Sequence, residues 1–346
     1  MNIPITDIVI SGFSAITPAG IGLGPLLELS RAGRDALTAV PAENSSEGER
    51  WGKIVGFKAT DFIPPLKARK LDRCSQFAVA TAGLALKDAG IDRSTLTPER
   101  IGIVLGCGFG GVANSAELLA GYFADGVEGL SPLLFPNTVS NASASNVSIE
   151  YGLKGPNVTQ VQRFCSAETA FMMACRFIAE GRADVMLTGG ADDLNPLVLS
   201  GFAATGQVHR YAKEFGEGCG LLVLESAGHA AGRGAAIKGR VESISTIGRL
   251  LDGQEPEGIK LLMAGGVAPV MATVSGTASD LPLLMERVSG IPVIDTGRVT
   301  GRSLAMGGTA MAVLLTSLRH GQPGLHLAAS PEGPYFAIRF SGGSHV

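Results

Sequence analysis

Residues 158–190 read VTQVQRFCSAETAFMMACRFIAEGRADVMLTGG, and this stretch indicates the fold. Val158–Val161 is typical of a short buried strand, and Ala167–Ala179 is typical of an apolar helix that Gly181 stops. Val185–Leu187 follows as a second strand, which Gly189 and Gly190 are expected to end. Strand, helix and strand in this order predict an α/β architecture.

The same alternation continues on both sides of this stretch. It predicts strands at Ile8–Ile10, Ile101–Leu105, Leu221–Leu224, Ile237–Ile244, Val270–Val274, Ile291–Ile294 and Tyr335–Phe340, and helices at Asp72–Ala89 and Ser303–Leu318. The seam at Ala231–Ala236 has no proline- or serine-rich linker. We therefore expect two similar α/β halves, residues 1–234 and 235–346, that share one compact core.

The composition of the 346 residues excludes several function classes. Lys and Arg total 28 against 31 Asp and Glu, so the net charge is −3, and no basic block is present to bind nucleic acid. The uncharged stretch Leu261–Ser279 contains Gly, Pro, Ser and Thr throughout, so we expect no membrane span. The N-terminus lacks the basic region of a signal peptide, which predicts a cytoplasmic protein.

The cysteines indicate one candidate nucleophile. Five scattered cysteines without a CxxC pair argue against a disulfide framework and a zinc site. Cys165 falls where a strand ends and a helix begins, and there the helix N-terminus favours a thiolate and backbone amides can form an oxyanion hole. Glu168 would oppose the thiolate if its side chain pointed inward. The alternative is that Cys165 is a buried packing residue, as we expect for Cys74, Cys107 and Cys175.

No histidine stands in a motif that would pair it with Cys165. Surface or loop positions are expected for all five histidines, which are His209, His229, His320, His326 and His345. The glycine cluster Gly106–Gly111 lacks the lysine of a phosphate-binding loop, so no cofactor is expected. Asp192 and Asp193 have no third ligand nearby, which predicts a solvated loop and no metal.

Several motifs together resemble those of the β-ketoacyl-acyl-carrier-protein synthases, the condensing enzymes of fatty acid and polyketide assembly. The resemblance covers nearly the whole chain and rests on residues 72–78 (DRCSQFA), 106–111 (GCGFGG), 151–156 (YGLKGP), 183–190 (ADVMLTGG) and 216–218 (GEG), on Phe135 with Pro136, and on Asn141. It implies a thiolase-type fold of two related halves in five αβαβα layers. It also implies dimerisation through the strand beside the nucleophile, and it places Cys165 at the acylated cysteine of the family.

Four polar catalytic positions of the family are changed in this chain. Ser275 stands where the family has its first histidine, and Arg302 stands where it has its second. Gly297 replaces the family lysine, and Met311 the family glutamate. In the family the two histidines polarise the malonyl thioester and stabilise the enolate. Because serine is a weaker donor and arginine cannot act as a base, we expect decarboxylative condensation to be severely impaired.

The resemblance also suggests residues that shape the acyl pocket. Residues 340–343 (FSGG) are similar to the gatekeeper loop of the family, so Phe340 is expected to be the gate and to complete the oxyanion hole, with Arg339 in place of the first glycine of that motif. Phe164, Met172 and Met311 are expected to line the pocket.

Three functions remain open from the sequence. The first is a catalytically reduced subunit, similar to a chain-length factor, that pairs with an active ketosynthase. The second is an acyltransferase or non-standard condensing enzyme in which Cys165 accepts an acyl group from acyl carrier protein or acyl-coenzyme A. The third is a homodimeric scaffold without acyl chemistry. The partners implied are therefore an acyl carrier protein or acyl-coenzyme A and a second subunit, in a homodimer or a heterodimer.

Overall fold

The computed structural model describes residues 2–3, 7–41, 49–92, 96–208, 214–251, 253–277 and 281–344. The strands are β1 (Asn2–Ile3), β2 (Ile8–Thr17), β3 (Gly20–Ile21), β4 (Thr38–Ala39), β5 (Arg50–Gly52), β6 (Ile101–Gly106), β7 (Asn157–Gln160), β8 (Val185–Asp192), β9 (Glu214–Gly216), β10 (Gly218–Ser226), β11 (Gly239–Ile247), β12 (Met271–Gly276), β13 (Val293–Asp295), β14 (Pro323–Ala329) and β15 (Tyr335–Gly342). The α-helices are α1 (Gly24–Arg31), α2 (Pro65–Ala68), α3 (Arg73–Asp88), α4 (Val112–Asp125), α5 (Ala142–Tyr151), α6 (Ser166–Ala179), α7 (Pro196–Ala204), α8 (Ala227–Gly232), α9 (Glu255–Met263), α10 (Leu281–Glu286), α11 (Gly297–Thr300) and α12 (Gly307–Ser317).

One mixed sheet of twelve strands organises the chain. Its main path runs β13-β12-β14-β15-β11-β2-β10-β8-β6-β7, with β1 beside β11 and β3 beside β2. The two parts of this path meet where β11 pairs with β2, and that ladder holds only two residue pairs, Gly239 with Ile10 and Arg240 with Val9. A separate small sheet joins β4, β5 and β9.

Helices cover both parts of the sheet and produce five layers. On the outside of the first part, α3 packs on β2, β10 and β8, and α5 packs on β6 and β7. In the middle, α6 packs on β6 and β8, while α12 contacts strands of both parts. On the far side, α9 and α10 cover β11, β12, β14 and β15. The predicted αβαβα layering is confirmed.

The local sequence explains why the central elements form where they do. Asp72 caps α3 by accepting a hydrogen bond from the Ser75 amide. Gly181 has a φ of 67°, which glycine adopts without strain, and it ends α6 as the sequence predicts. The predicted strands and helices are all present, with ends shifted by up to seven residues, the largest shift being at β2, which runs to Thr17 and not to Ile10.

One sequence prediction about strands is wrong, and one strand was missed. Gly189 and Gly190 do not end β8, which continues to Asp192. A Cβ at Gly189 would lie 2.0 Å from the Gly220 carbonyl oxygen, so the glycine allows β10 to approach closely. In addition, β14 was not predicted, although it lies between β12 and β15 in the sheet.

The structure also tests the positions predicted for the histidines. His229 lies on α8 with Nδ1 2.7 Å from a Glu225 oxygen, and His326 is fully buried on β14. For His326 the expected surface or loop position is therefore wrong. His209 and His345 lie outside the described residues. No helix among the described residues is long and apolar enough to cross a membrane.

Candidate functional site

A strained turn carries Cys165 between β7 and α6. Residues Arg163–Cys165 form one 3-10 turn, and α6 begins at Ser166. Arg163 has a φ of 50°, a conformation that costs a residue with a Cβ about 1–3 kcal/mol. The Ser166 hydroxyl holds this turn, because it donates to the Arg163 carbonyl (2.7 Å) and accepts from the Gln162 amide (2.9 Å). The sequence therefore places Cys165 at a helix start, as predicted.

The sulfur of Cys165 is enclosed by protein. The side chain is fully buried, and Sγ lies 3.2 Å from the Pro334 carbonyl oxygen, to which the thiol donates. Pro334 belongs to the turn of residues 330–334 that connects β14 to β15. This turn therefore lies directly over the candidate nucleophile.

The gatekeeper position predicted for Phe340 is wrong. Phe340 lies inside β15, where it pairs with Val241 of β11 and Gly324 of β14. Its side chain is fully buried, with the ring centroid 5.6 Å from that of Phe171. Because neighbouring strands flank it on both sides, Phe340 forms a wall of the core and not a loop that opens.

A buried polar network lies behind the Cys165 turn. Ser275, on β12, donates a hydrogen bond to Oε1 of Glu168, and Nε2 of His326 lies 2.9 Å from the same oxygen. Nδ1 of His326 lies 3.0 Å from the Thr273 hydroxyl. The 3-10 turn that bears Cys165 packs against both β12 and β14, the strands that carry these side chains. The Glu168 side chain therefore points inward, where residues of β12 and β14 form hydrogen bonds with its carboxyl group.

The N-terminus of α12 completes the surroundings of Glu168. A Cβ at Gly307 would lie 2.0 Å from Oε1 of Glu168, so the first residue of α12 must be glycine for the carboxyl group to fit. The positive end of a helix dipole favours a carboxylate at this place. Oε2 of Glu168 has no hydrogen-bond partner among the described residues.

Arg302 occupies a buried ion pair beside this network. Nη2 lies 2.6 Å from Oδ2 of Asp295 and Nη1 lies 3.2 Å from Oδ1. Nη1 also donates to the Gly276 carbonyl (3.1 Å), the residue that follows Ser275. Ser275 and Arg302 therefore come close to each other at the end of β12. The amide of Gly297, the residue at the position of the family lysine, donates to Oδ1 of Asp295 (3.0 Å). Gly297 therefore also stabilises the ion pair of Arg302 and Asp295.

The expected pocket residues fall into two groups. Cys165, Met311 and Phe340 belong to one core cluster, against which the partly buried Met172 packs. Phe164 belongs to a second cluster, with Phe215 and Leu304. Met311 is fully buried on α12. Sequence reasoning missed Asp295 and His326, although each is a single polar residue at or within an apolar strand.

The expected solvated loop at Asp192 and Asp193 is wrong as well. Asp192 ends β8 fully buried and accepts the amides of Gly108 and Phe109, both at 2.8 Å. Burial raises its pKa to about 7. The pKa of Asp193 is also raised to about 7. Burial is the largest cause, and the neighbouring carboxylates of Asp72, Asp192 and Glu217 add to it. The described residues contain no cluster that could hold a metal ion.

These two carboxyl groups predict how stability depends on pH. The folded state binds their protons more tightly than the unfolded state, so the free energy of unfolding should fall as pH rises from about 4 to about 7. For Asp193→Asn we expect this fall to be smaller by about 1–3 kcal/mol, because one buried charge and its repulsion of Asp192 are removed. Urea unfolding at a series of pH values measures the difference. An unchanged pH dependence in the variant would contradict the assignment.

Comparison with known proteins identifies the family model that matches. The model described as "Beta-ketoacyl synthase, N-terminal domain" matches residues 6–230. A 3-oxoacyl-[acyl-carrier-protein] synthase 2 of Staphylococcus aureus (strain COL) is 27% identical over 336 residues, which cover 90% of this chain and 80% of that protein.

Solved structures share the fold. The ketosynthase complex AntDE:AntF, in which a type II polyketide synthase acyl-carrier protein binds its ketosynthase, matches with a TM-score of 0.81 and 21% identity. The ishigamide ketosynthase/chain length factor also matches with a TM-score of 0.81, at 23% identity. Each match covers 97% of this chain and 99% of the other. The predicted thiolase-type α/β fold is confirmed.

Proposed function

Because the chain belongs to the β-ketoacyl synthase family, we propose that it is a catalytically reduced subunit of type II fatty acid or polyketide assembly. In this role it pairs with an active ketosynthase and shapes the pocket in which the acyl chain grows, as a chain-length factor does. The observation that carries the proposal is the buried pair of Arg302 with Asp295 at the position of a family histidine.

The Arg302 pair supports loss of the condensation chemistry. A guanidinium stays protonated at any working pH, so it cannot take a proton from substrate. Two of its nitrogens are occupied by Asp295 and by the Gly276 carbonyl, and the side chain is only 4% exposed. Nε is the one nitrogen of this group without a partner among the described residues. The two terminal nitrogens therefore serve a structural ion pair and are not available to polarise a thioester.

Ser275 supports the same proposal at the other histidine position. Its hydroxyl donates to Oε1 of Glu168, so its hydrogen is not directed at a substrate. Because this hydrogen bond is made inside the protein, Ser275 offers no free donor to a developing enolate. Both positions that would stabilise the enolate therefore serve the interior of the protein.

Cys165 fits a packing role in this proposal. Its thiol donates to Pro334 and its side chain belongs to the core cluster that contains Met311 and Phe340. Retention of the cysteine is then explained by its fit in the core, since a free cysteine behaves as a small apolar side chain.

The surface around β7 supports pairing with a second subunit. Among the described residues β7 ends the main sheet path, so one of its edges has no neighbouring strand there. A second exposed feature is α4, which buries none of its residues and packs against the segment of residues 126–137. Large apolar side chains are exposed on α4 and the segment after it, including Leu119, Phe123, Val127, Leu133 and Phe135. An apolar surface of this kind marks an interface, and we assign it to a ketosynthase-fold partner whose own substrate arrives on an acyl carrier protein.

The test is co-expression of the full chain with an intact ketosynthase encoded beside it. We expect the two chains to purify as a heterodimer, and we expect the condensation activity of the complex to be unchanged by Cys165→Ala in this chain. Cys175→Ala, another fully buried cysteine, is the matched control. Loss of activity in Cys165→Ala alone would overturn the proposal, and so would recovery of this chain only as a homodimer.

A second candidate function, acyl transfer through Cys165, is favoured by one observation. The buried His326 and Glu168 lie on elements that pack directly against the Cys165 turn, and a thiol with an imidazole nearby is a common nucleophilic arrangement. The same preparations discriminate the two functions. Intact mass after incubation with acyl-coenzyme A or acyl carrier protein shows an adduct that Cys165→Ala abolishes only if acyl transfer occurs.

A further inference from the structure

A cavity of about 430 Å³ opens on the outer side of the second part of the sheet. It is lined by β11, β15, the loop that follows α9 and the start of β14. Arg339, on β15, lies in this lining. It is five residues after Pro334 in the chain, which corresponds to about 16 Å of extended backbone. Neither Cys165 nor Pro334 is part of the lining, although Phe340, which shares a core cluster with Cys165, is.

Arg339 carries buried hydrogen-bond donors without acceptors. Arg339 is only 9% exposed. Nη2 donates to the Met263 carbonyl at the end of α9 (2.8 Å), whereas Nε and Nη1 have no partner among the described residues. Unpaired buried donors on a charged group are costly. Burial lowers the pKa of this guanidinium, and no carboxylate contributes to the shift.

The glycine loop after α9 packs closely over Arg339. Gly265 and Gly266 have φ values of 80° and 79°, and a Cβ at Gly266 would lie 2.4 Å from Nε of Arg339. The one carboxylate of the lining, Glu242, is exposed and accepts a hydrogen bond from Ser341. The buried charge that faces the cavity is therefore positive.

We propose that this cavity binds the oxyanion group of a small molecule, a carboxylate or a phosphate, through the free nitrogens of Arg339. Arginine is the side chain best suited to planar oxyanions, because its donors are rigidly arranged and always charged. The volume is that of a small-molecule site. This site is independent of the proposed function, since nothing in it requires chemistry at Cys165.

Isothermal titration calorimetry on the full chain tests the proposal. Inorganic phosphate and acetate are titrated separately, with chloride at matched ionic strength as the reference. We expect saturable binding of at least one of the two anions in the millimolar range. Arg339→Met should weaken that binding by about tenfold or more, the effect of losing a charged hydrogen bond. Binding of phosphate alone or of acetate alone identifies which oxyanion the site prefers.

A second variant keeps the test decisive if Arg339→Met does not fold. Val267 lines the cavity and is 73% exposed, so Val267→Glu places a carboxylate at the mouth without disturbing the core. It should weaken anion binding, whereas Val55→Glu should not, because Val55 is 89% exposed and is not part of the lining. Absence of saturable binding up to about 10 mM overturns the proposal. Binding that Val267→Glu leaves unchanged also overturns it.

Discussion

Replacing Asp295 with alanine is expected to lower the free energy of unfolding by about 3–5 kcal/mol, the cost of leaving a buried charge without its partner. The two side chains of the pair are nearly excluded from solvent, at 4% for Arg302 and 6% for Asp295. After the substitution the Gly276 carbonyl would remain as an acceptor for Nη1, but no carboxylate would balance the guanidinium. Urea unfolding followed by circular dichroism measures the loss.

An exposed ion pair provides the matched control. Arg50 and Asp35 are 3.1 Å apart with side chains 40% and 31% exposed, so Asp35→Ala should cost less than about 1 kcal/mol. The double variant Asp295→Leu/Arg302→Leu should recover much of the stability, because removing both charges also removes the unpaired one. The interpretation of Arg302 as a structural cation fails if Asp295→Ala destabilises no more than Asp35→Ala.

This pair also shows what the sequence could predict of the site. The resemblance places Arg302 at the position of a family histidine, and from this the sequence predicts that a base is missing there. The partner, Asp295, ends the short strand β13, and only the path of the chain from β13 through α11 brings its carboxylate back to Arg302. A sequence reading that considers motifs one at a time does not find such a contact.

The errors at β14 and β15 have a common physical cause. The sequence around His326 is an apolar run after a proline and a glycine, and its strand character depends on pairing with β12 and β15. Strand preference depends strongly on such context, and local reasoning missed it. Once β14 and β15 are paired, the turn that approaches Cys165 is that of residues 330–334, and Phe340 falls within the sheet. The sequence of residues 340–343 (FSGG) therefore wrongly indicated a gatekeeper loop.

His326→Leu is the second substitution for which we expect a large effect, a loss of about 2–4 kcal/mol in the free energy of unfolding. The imidazole is fully buried and lies between the Glu168 carboxyl group and the Thr273 hydroxyl. Without it, Ser275 would be the remaining side-chain donor to Oε1 of Glu168, whose other oxygen already has no partner among the described residues. Urea unfolding of the variant and the unchanged chain gives the difference.

The double variant Glu168→Met/His326→Leu tests whether the two groups act as one unit. If they do, the double variant should be more stable than His326→Leu alone, because the stranded carboxyl group has been removed together with its partner. Additive losses would show that Glu168 is stabilised elsewhere, by the N-terminus of α12, and that His326 contributes packing alone. A favourable coupling between Glu168 and His326 would instead mean that the two side chains form one polar network that stabilises the fold.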